Sequence, residues 1–348
     1  MNYKVVFRCD AGHAPEIGTG HIARSKTLAN ELINSKLLDI EDILFLTRDD
    51  DGFNLGKKYL ENSGFKYKSF SNNQLKANSE SEIEVISNIE SKIIFLDRLE
   101  TSSDLIKGIK KKGNKVVTFD DYGSGREFAD LAISSIFDDV SKSKNLLSGY
   151  EYLILSKDSY KPLEIRDSIK NIVATFGGND ARDLCSHFID NIDAIPRKIK
   201  IDIILGSVSK EDVIKYNTQI KLKNFSDNIA LHIFPKNYHQ IISNADIAIS
   251  SGGLSIFEFS AYGIPTIGLP QYPHQLRTIT NLQSSGISIL GAEEMKLSDS
   301  KFKDAMSRLI DDNSLRKLMA LNSRQSIDGN GAKRIRELIE IKFKDVFL

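Results

Sequence analysis

Neither sign of charge predominates in this chain. Over 348 residues, 47 basic side chains meet 47 acidic ones, a formal net charge of zero. A nucleic-acid binder normally shows a basic excess, so that class loses ground. Cysteine is scarce: Cys9 and Cys185 lie far apart and read as free thiols of a reducing cytoplasm rather than a disulfide. No cysteine–histidine cluster has metal-ligand spacing, so no metal site is expected. No window approaches 18 consecutive apolar residues, which argues against a transmembrane helix. The opening MNYKVVFRCD is charged almost at once and lacks the apolar core of a signal peptide. These absences point to a cytoplasmic protein without stable membrane insertion, expected as a monomer or weak dimer. Low-complexity segments are also missing, and no repeat is visible beyond two similar halves.

What is present is ordinary for a globular chain, 41% hydrophobic and 27% charged, and long enough for two domains with a core each. Short apolar runs alternate with amphipathic stretches. Strands are expected at 3 to 8, 42 to 47, 92 to 97, 115 to 119, 130 to 134 and 152 to 155. Over 22 to 34, Ile22, Ser25, Ala29, Leu32 and Ile33 share one helical face. Alternation of this kind predicts a parallel, doubly wound sheet. The polar, proline-containing KDSYKPLEIRDS (157 to 168) reads as an interdomain linker. The pattern then restarts with NIVATFGGND (171 to 180), IKIDIILG (199 to 206), ALHIF (230 to 234), DIAISSGG (246 to 253), PTIGLP (265 to 270) and ISILG (287 to 291). The domains expected are 1–160 and 168–328, both Rossmann-like α/β folds facing across a cleft, followed by a charged amphipathic helix within 329–348.

In open α/β sheets ligands bind beyond the carboxyl ends of the strands, so the residues after each strand matter most. After the first strand comes EIGTGHIARSKTLAN (16 to 30). Gly18 and Gly20, flanking Thr19, permit positive φ and a close backbone approach. The following helix would aim free N–H groups and its positive dipole end at a ligand. His21 in its first turn would stay neutral and suit a general base. Gly-x-Gly alone equally makes a simple turn, with His21 a cap or surface residue. Asp10, Asp97, Asp120 and Asp121 end three strands of the same half; each alone reads as a cap or turn residue, and together they suggest a polar rim. In the second half, Gly177 and Gly178 precede Asn179 and Asp180, plausible N-caps of a helix 181 to 190. The run from 249 to 286 places Ser251, Gly252 and Gly253 at a helix start suited to a diphosphate. Glu258 follows one to two turns on, able to accept from two ribose hydroxyls, and Gln275 and Asn281 add neutral polar groups.

That last run resembles the nucleotide-sugar signature of GT-B glycosyltransferases, especially the family of the peptidoglycan UDP-GlcNAc transferase; an Asn-Ala pair there is Asn281-Leu282 here. FRCDAGHAPEIGTGHIARSKTLA (7 to 29) resembles the start of the UDP-2,4-diacetamido-2,4,6-trideoxy-β-L-altropyranose hydrolases of pseudaminic acid synthesis and of related spore-coat polysaccharide proteins. FDDYG (119 to 123), TFGGND (175 to 180) and DGNGAKRI (328 to 335) match further blocks of that family, so the likeness covers most of the chain. Two departures stand out: a longer loop with a second histidine, His13, and Asp97-Arg98-Leu99 where the family has Asp-x-Tyr.

The resemblance implies a GT-B fold and release of UDP from C1 of the sugar with inversion, without cofactor or metal. It implies His21 as base and Arg24, in the same block, as a substrate contact. It places the nucleotide on the second domain at Gly177, Gly178, Asn179, Ser251 to Gly253, Glu258, Gln275 and Asn281, and a UDP-sugar as the small-molecule partner. The first-domain contacts would be Asp10, Gly18, Thr19, Gly20, Asp97 and Asp121. The alternative is a GT-B glycosyltransferase passing the sugar to an alcohol, for which the five lysines and aromatics of 57 to 76 could face a lipid-linked acceptor; the plainer reading of that stretch is a solvated helix and loop. A third reading is a nucleotide-sugar-binding protein without catalysis. Fold similarity alone does not decide among these.

Overall fold

The runs VVFRC, ILFLTR and IIFLD are apolar on both faces, as strands buried between two helical layers must be. In a computed structural model, which describes residues 3–13, 17–61, 63–136, 144–156 and 160–347, each becomes a strand of one parallel sheet. Two units emerge, Met1–Asp158 with Gly329–Leu348 and Ser159–Asp328.

The first unit runs β1 (Val5–Cys9), α1 (Gly20–Asn34), β2 (Ile43–Arg48), α2 (Leu55–Glu61), β3 (Lys66–Phe70), α3 (Glu80–Ser87), β4 (Ile93–Asp97), α4 (Ser103–Lys110), β5 (Lys115–Phe119), β6 (Leu131–Ser134) and β7 (Leu146–Ser148). The sheet order is β3-β2-β1-β4-β5-β6-β7, all parallel. The chain therefore winds outward in both directions from the β1–β4 pair, and that pair is the switch point.

Side chains alternate between the two faces with period 2. Val5, Phe7, Cys9, Ile93 and Phe95 face the layer containing α1. On that face Phe45, Phe7 and Phe95 stack in register, with centroids 5.0 and 4.7 Å apart, each pair worth about 0.5–1.5 kcal/mol beyond area burial. Val6, Leu44, Ile94 and Leu96 face α3 and α4. Two strand expectations differ from the structure. Leu153, Ile154 and Leu155 are buried but follow a 3₁₀ turn at Tyr150–Tyr152 instead of forming a strand, since the sheet ends at β7. Lys66–Phe70, inside the stretch read as solvated helix and loop, is edge strand β3; its exposed lysines hid it.

The second unit runs β8 (Asn171–Thr175), α5 (Leu184–Asp190), β9 (Lys200–Leu205), α6 (Lys210–Leu222), β10 (Ile229–Ile233), α7 (Tyr238–Ile242), β11 (Ile247–Ser250), α8 (Leu254–Tyr262), β12 (Thr266–Gly268), α9 (Pro273–Ser284) and β13 (Ser288–Leu290), in parallel order β10-β9-β8-β11-β12-β13. A two-residue-stranded hairpin follows, then α10 (Asp299–Asp311) and α11 (Asn313–Ser326). Here the switch point is the β8–β11 pair. The chain then returns to the first unit as α12 (Gly331–Lys342), whose Ile335 and Ile339 join the core under α1. Gly331 is required there, because a Cβ would lie 2.0 Å from the Leu153 carbonyl oxygen. Among the described residues no helix is long and apolar enough to cross a membrane.

Candidate functional site

Both switch points carry the polar residues, as expected for doubly wound sheets. In the first unit a cavity of about 260 Å³ opens beside β1 and β4, lined among others by Asp10, His21, Arg48, Asn78, Asp97 and Arg98. Its walls are two charge networks, one from each face of the sheet.

The network on the α1 face centres on Asp97, which is 1% exposed. Its Oδ1 accepts from His21 Nδ1 at 2.6 Å and from an Arg24 terminal nitrogen at 2.6 Å; its Oδ2 accepts from Arg24 Nε at 2.7 Å and Ser25 Oγ at 3.0 Å. Burial alone would raise this carboxyl, but Arg24 and then His21 hold it down to about 2. It is therefore an anion that only accepts, so His21 must carry its proton on Nδ1. In the neutral imidazole that leaves Nε2 as the acceptor, without a hydrogen-bond partner among the described residues.

Arg24 is itself 4% exposed and also ion-pairs Asp120. It positions Asp97 and is closed off from a substrate, a correction to its expected contact. Asp120, at φ +46°, anchors the turn after β5 by accepting from the backbone of Ser135 and Ile136.

The network on the α3 face was not foreseen. Arg8 follows Val6 on that face and is fully buried. It donates to Glu82 on α3 at 2.7 Å and to Asp10 at 2.6 Å. Arg98, next after Asp97 and so on the opposite face, holds Glu82 with two nitrogens at 2.9 and 2.5 Å. Arg48 donates to Asp10 by Nε at 2.9 Å and lies 3.5 Å over the Phe53 ring. Burial works against ionisation of Asp10 and Glu82, yet the guanidiniums win: Asp10 falls well below the usual range and Glu82 to about 2. Four arginines, at 8, 24, 48 and 98, thus meet four carboxylates, at 10, 82, 97 and 120. With His21 neutral these two networks balance, and Glu100, which also lines the cavity, adds one further acidic side chain.

Other expectations in this unit need correction. Neither Gly18 nor Gly20 has positive φ, and a Cβ on Gly18 would meet nothing within 4 Å, so no special backbone freedom is used there. Gly20 opens α1, and Thr19 occupies the N-cap position without a side-chain cap. His21 does fall in the first helical turn. Asp121 is no part of the cavity; its carboxylate ties the Thr101 N–H, the Thr101 hydroxyl and the Gly123 N–H of a neighbouring loop. Burial pushes it up to about 6, against the pull of those bonds. His13 lies in the described part of the loop and is exposed.

In the second unit, the register pairing Thr175 with Ser250 brings the loops after β8 and β11 together. Gly177 takes φ +83°, the left-handed region that favours glycine, and a Cβ there would lie 3.7 Å from Ser251 Oγ. Gly252 has no room for a side chain: a Cβ would sit 2.6 Å from the Gln275 carbonyl oxygen. At Gly253, the N-cap of α8, a Cβ would be 4.0 Å from both Ser251 Oγ and Gln275 Nε2, so a small polar space stays open. Gly177, Gly178, Asn179 and Gly253 remain partly accessible, whereas Ser251, Gly252, Glu258 and Gln275 are buried.

Gln271, which no motif marks out, ties the loop after β12, where it lies, to the loop after β8. Its Nε2 donates to the Phe176 carbonyl at 2.8 Å, its Oε1 accepts from the Ala181 N–H at 2.8 Å, and its own N–H donates to Gln275 Oε1 at 2.9 Å. The expected helix 181 to 190 starts later, at Leu184, because Asp180 caps it by accepting from Leu184 and Cys185 at 2.8 Å each. Asn179 makes no such cap; its carbonyl accepts from Gln271 at 3.3 Å. Asn281 lies in the last turns of α9, six residues past Gln275 and so roughly 9 Å along the axis, and no side-chain bond joins it to these loops. Cys9 and Cys185 are free and buried. Among the described residues no three His, Cys, Asp or Glu side chains are grouped to hold a metal ion.

Two parallel Rossmann-like sheets, each with its polar residues at the switch point, give this chain a GT-B fold. The crystal structure of Acinetobacter baumannii MurG matches it over 97% of this chain and 99% of that one, with a TM-score of 0.66 at 14% identity, which is a likeness of fold. Residues 172–335 match the Glycosyltransferase family 28 C-terminal domain, so the second unit is glycosyltransferase-like. The spore coat polysaccharide biosynthesis protein SpsG of Bacillus subtilis is 25% identical over 95% of this chain and 96% of its own length. Uncharacterized protein MJ1062 of Methanocaldococcus jannaschii is 29% identical over 74% of this chain. A UDP-N-acetylglucosamine--N-acetylmuramyl-(pentapeptide) pyrophosphoryl-undecaprenol N-acetylglucosamine transferase of Helicobacter pylori is 29% identical over 50% of it. The matched regions span about half the length of these last two relatives, 54% and 51%.

Proposed function

We propose that this protein is a nucleotide-sugar hydrolase of surface-polysaccharide or nonulosonic (pseudaminic-type) acid biosynthesis. It would remove UDP from a 2,4-diacetamido-2,4,6-trideoxyhexose with inversion at C1. The observation that carries the reading is the His21–Asp97 pair at 2.6 Å, which leaves Nε2 as acceptor at a cavity beside the β1–β4 switch point. Asp10, Gly18, Thr19 and Gly20 remain first-unit candidates for sugar contact. Gly177, Gly178, Asn179, Gly253 and Glu258 are candidates for the nucleotide, held at the start of α8 where backbone N–H groups and the helix dipole favour a diphosphate.

In the reaction His21 Nε2 takes a proton from water as the water oxygen bonds to C1. The C1–O bond to the diphosphate breaks, and its electron pair leaves with UDP. The products are the free sugar of inverted configuration, UDP and a proton, released when the imidazolium returns to neutral. Asp97 stabilises that imidazolium and fixes its tautomer, the role a carboxylate plays in Asp–His pairs generally. Diphosphate is a good leaving group, so the two-carboxylate arrangement of glycosidases is not required.

A second reading, a glycosyltransferase in which His21 deprotonates an alcohol, is favoured by the family 28 match of the second unit. Incubation with UDP-2,4-diacetamido-2,4,6-trideoxy-altrose and with UDP-GlcNAc in ¹⁸O water, without acceptor, separates the two. UDP release with ¹⁸O in the free sugar, abolished in His21→Ala, supports the hydrolase. UDP-sugar binding without turnover sinks it for those donors and favours the transferase.

A further inference from the structure

The second unit holds an interaction that no sequence motif announced. Tyr238, the first residue of α7, donates its hydroxyl to Glu258 Oε2 at 2.7 Å, across the β11 strand that separates the two helices in sequence. Glu258 sits in the second turn of α8 and is 6% exposed. A carboxylate that is nearly desolvated keeps a fixed direction only if donors hold it. Tyr238 is placed to do so independently of that bond. The adjacent His239 ring packs edge-on against Tyr238 at 5.2 Å and lies 6.2 Å from Tyr262 at the far end of α8; Tyr262 in turn packs on Tyr160 at 4.8 Å. The His239 Nδ1 is also 3.3 Å from the Tyr262 hydroxyl. An aromatic cluster therefore pins the start of α7 to α8, and the hydroxyl arrives at Glu258 already in position.

We infer that Tyr238 is a positioning residue that orients the Glu258 carboxylate to accept from the ribose hydroxyls of the nucleotide, and so sets the preference for ribo- over deoxyribonucleotide. This rests on the reading that the second unit binds UDP. With Oε2 fixed by the phenol, rotation of the carboxylate is blocked, and one orientation toward the ribose is kept. Tyr238→Phe removes the hydroxyl and leaves the ring, so the aromatic cluster stays and Glu258 Oε2 loses the phenol's hold. A structural role for Tyr238 would change stability without changing which sugar hydroxyls matter.

The test is calorimetric titration of the full chain with UDP and with 2′-deoxy-UDP, in wild type, Tyr238→Phe and Glu258→Gln, with melting temperatures alongside. A hydrogen bond to a charged group corresponds to roughly tenfold or more in affinity. Wild type should favour UDP by at least that factor, and Tyr238→Phe should narrow the ratio to about threefold or less, chiefly by weakening UDP. Glu258→Gln should narrow it as well. If wild type discriminates and Tyr238→Phe, still folded, discriminates equally, the inference is overturned while the nucleotide reading stands. If wild type binds no UDP at all, the nucleotide reading fails and takes this inference with it. If Tyr238→Phe melts markedly lower yet keeps the ratio, the tyrosine is structural and the inference is again overturned.

Discussion

Replacing Asp97 by asparagine is the sharpest test of the proposed base, because it keeps the side-chain shape and removes an acceptor. Four donor contacts converge on the carboxylate, from His21, twice from Arg24, and from Ser25. Asparagine offers one oxygen and one NH₂, so roughly half of those donors lose their acceptor. If the NH₂ faces His21, the imidazole must move its proton to Nε2, where the attacking water needs a lone pair. In the serine-protease Asp–His pair, the same loss of tautomer slows catalysis about 10⁴-fold, and we expect a drop of about 10³–10⁴ in kcat here. Removing one partner of a buried ion pair costs about 3–5 kcal/mol; Asp120 stays with Arg24, so the lower end of that range is expected. UDP release from the UDP-sugar, measured on protein shown to be folded by circular dichroism and urea titration, reads both numbers. The double variant His21→Ala/Asp97→Asn should be no slower than His21→Ala alone, since two residues acting as one unit are not additive. A folded Asp97→Asn enzyme that kept more than a tenth of wild-type kcat would refute the pairing. So would a double variant that lost a further hundredfold.

Other outcomes follow from the same geometry. Glu82→Gln strips the shared carboxylate from Arg8 and Arg98 in a site without solvent access, and should cost about 3–5 kcal/mol in urea unfolding; a loss under about 1 kcal/mol would contradict the ion-pair network. Stability should also vary with pH in two senses. Asp97 and Glu82, depressed to about 2 from ordinary values of 3.8 and 4.5, add stability that is full above those values and drains as pH falls through 2, roughly 2–3 kcal/mol each. Asp121 and Asp180, raised to about 6, work the other way: the stability tied to their protonated form is lost as pH rises through 6. Thermal melting should therefore rise from pH 7 to about 5 and fall steeply below about 4, and a monotonic curve would show that one set is misassigned. At the second switch point two neighbouring glycines should behave differently. Gly252→Ala drives a Cβ into the Gln275 backbone and should destabilise by about 1–3 kcal/mol. Gly253→Ala, with nothing nearer than 4.0 Å, should fold normally and weaken UDP binding; equal melting and equal UDP affinity in the two variants would argue against an open phosphate space at Gly253.

Much of the architecture was legible because it follows from local periodicity. Buried parallel strands such as IIFLD announce themselves as continuous apolar runs. The amphipathic spacing from Ile22 to Ile33 marks a helix whichever fold contains it. Strand Lys66–Phe70 escaped notice for the converse reason: at a sheet edge its lysines point to water, and a stretch half charged looks like a solvated loop. The glycines at 18 and 20 were over-read, since a Gly-x-Gly pattern cannot show whether either residue takes positive φ, and neither does. Ser79-x-x-Glu82 reads like a helix cap, which is local, whereas the Glu82 side chain, besides accepting from the Asn78 N–H, also holds Arg8 and Arg98, 74 and 16 residues away.

By itself, then, the order of residues determined two doubly wound sheets and the placing of Asp10 and Asp97 at strand ends and of His21 in the first turn of the following helix, since strand and helix periods and the position of a residue after a strand are properties of the chain alone. Tertiary structure alone decided which charges meet. Adjacent residues on a strand face opposite ways, so Asp97 joined His21 and Arg24 on one face while Arg98 joined Glu82 and Arg8 on the other. Which partner waits on each face depends on how α1 and α3 pack there, and packing is set by the whole unit rather than by any short stretch of it.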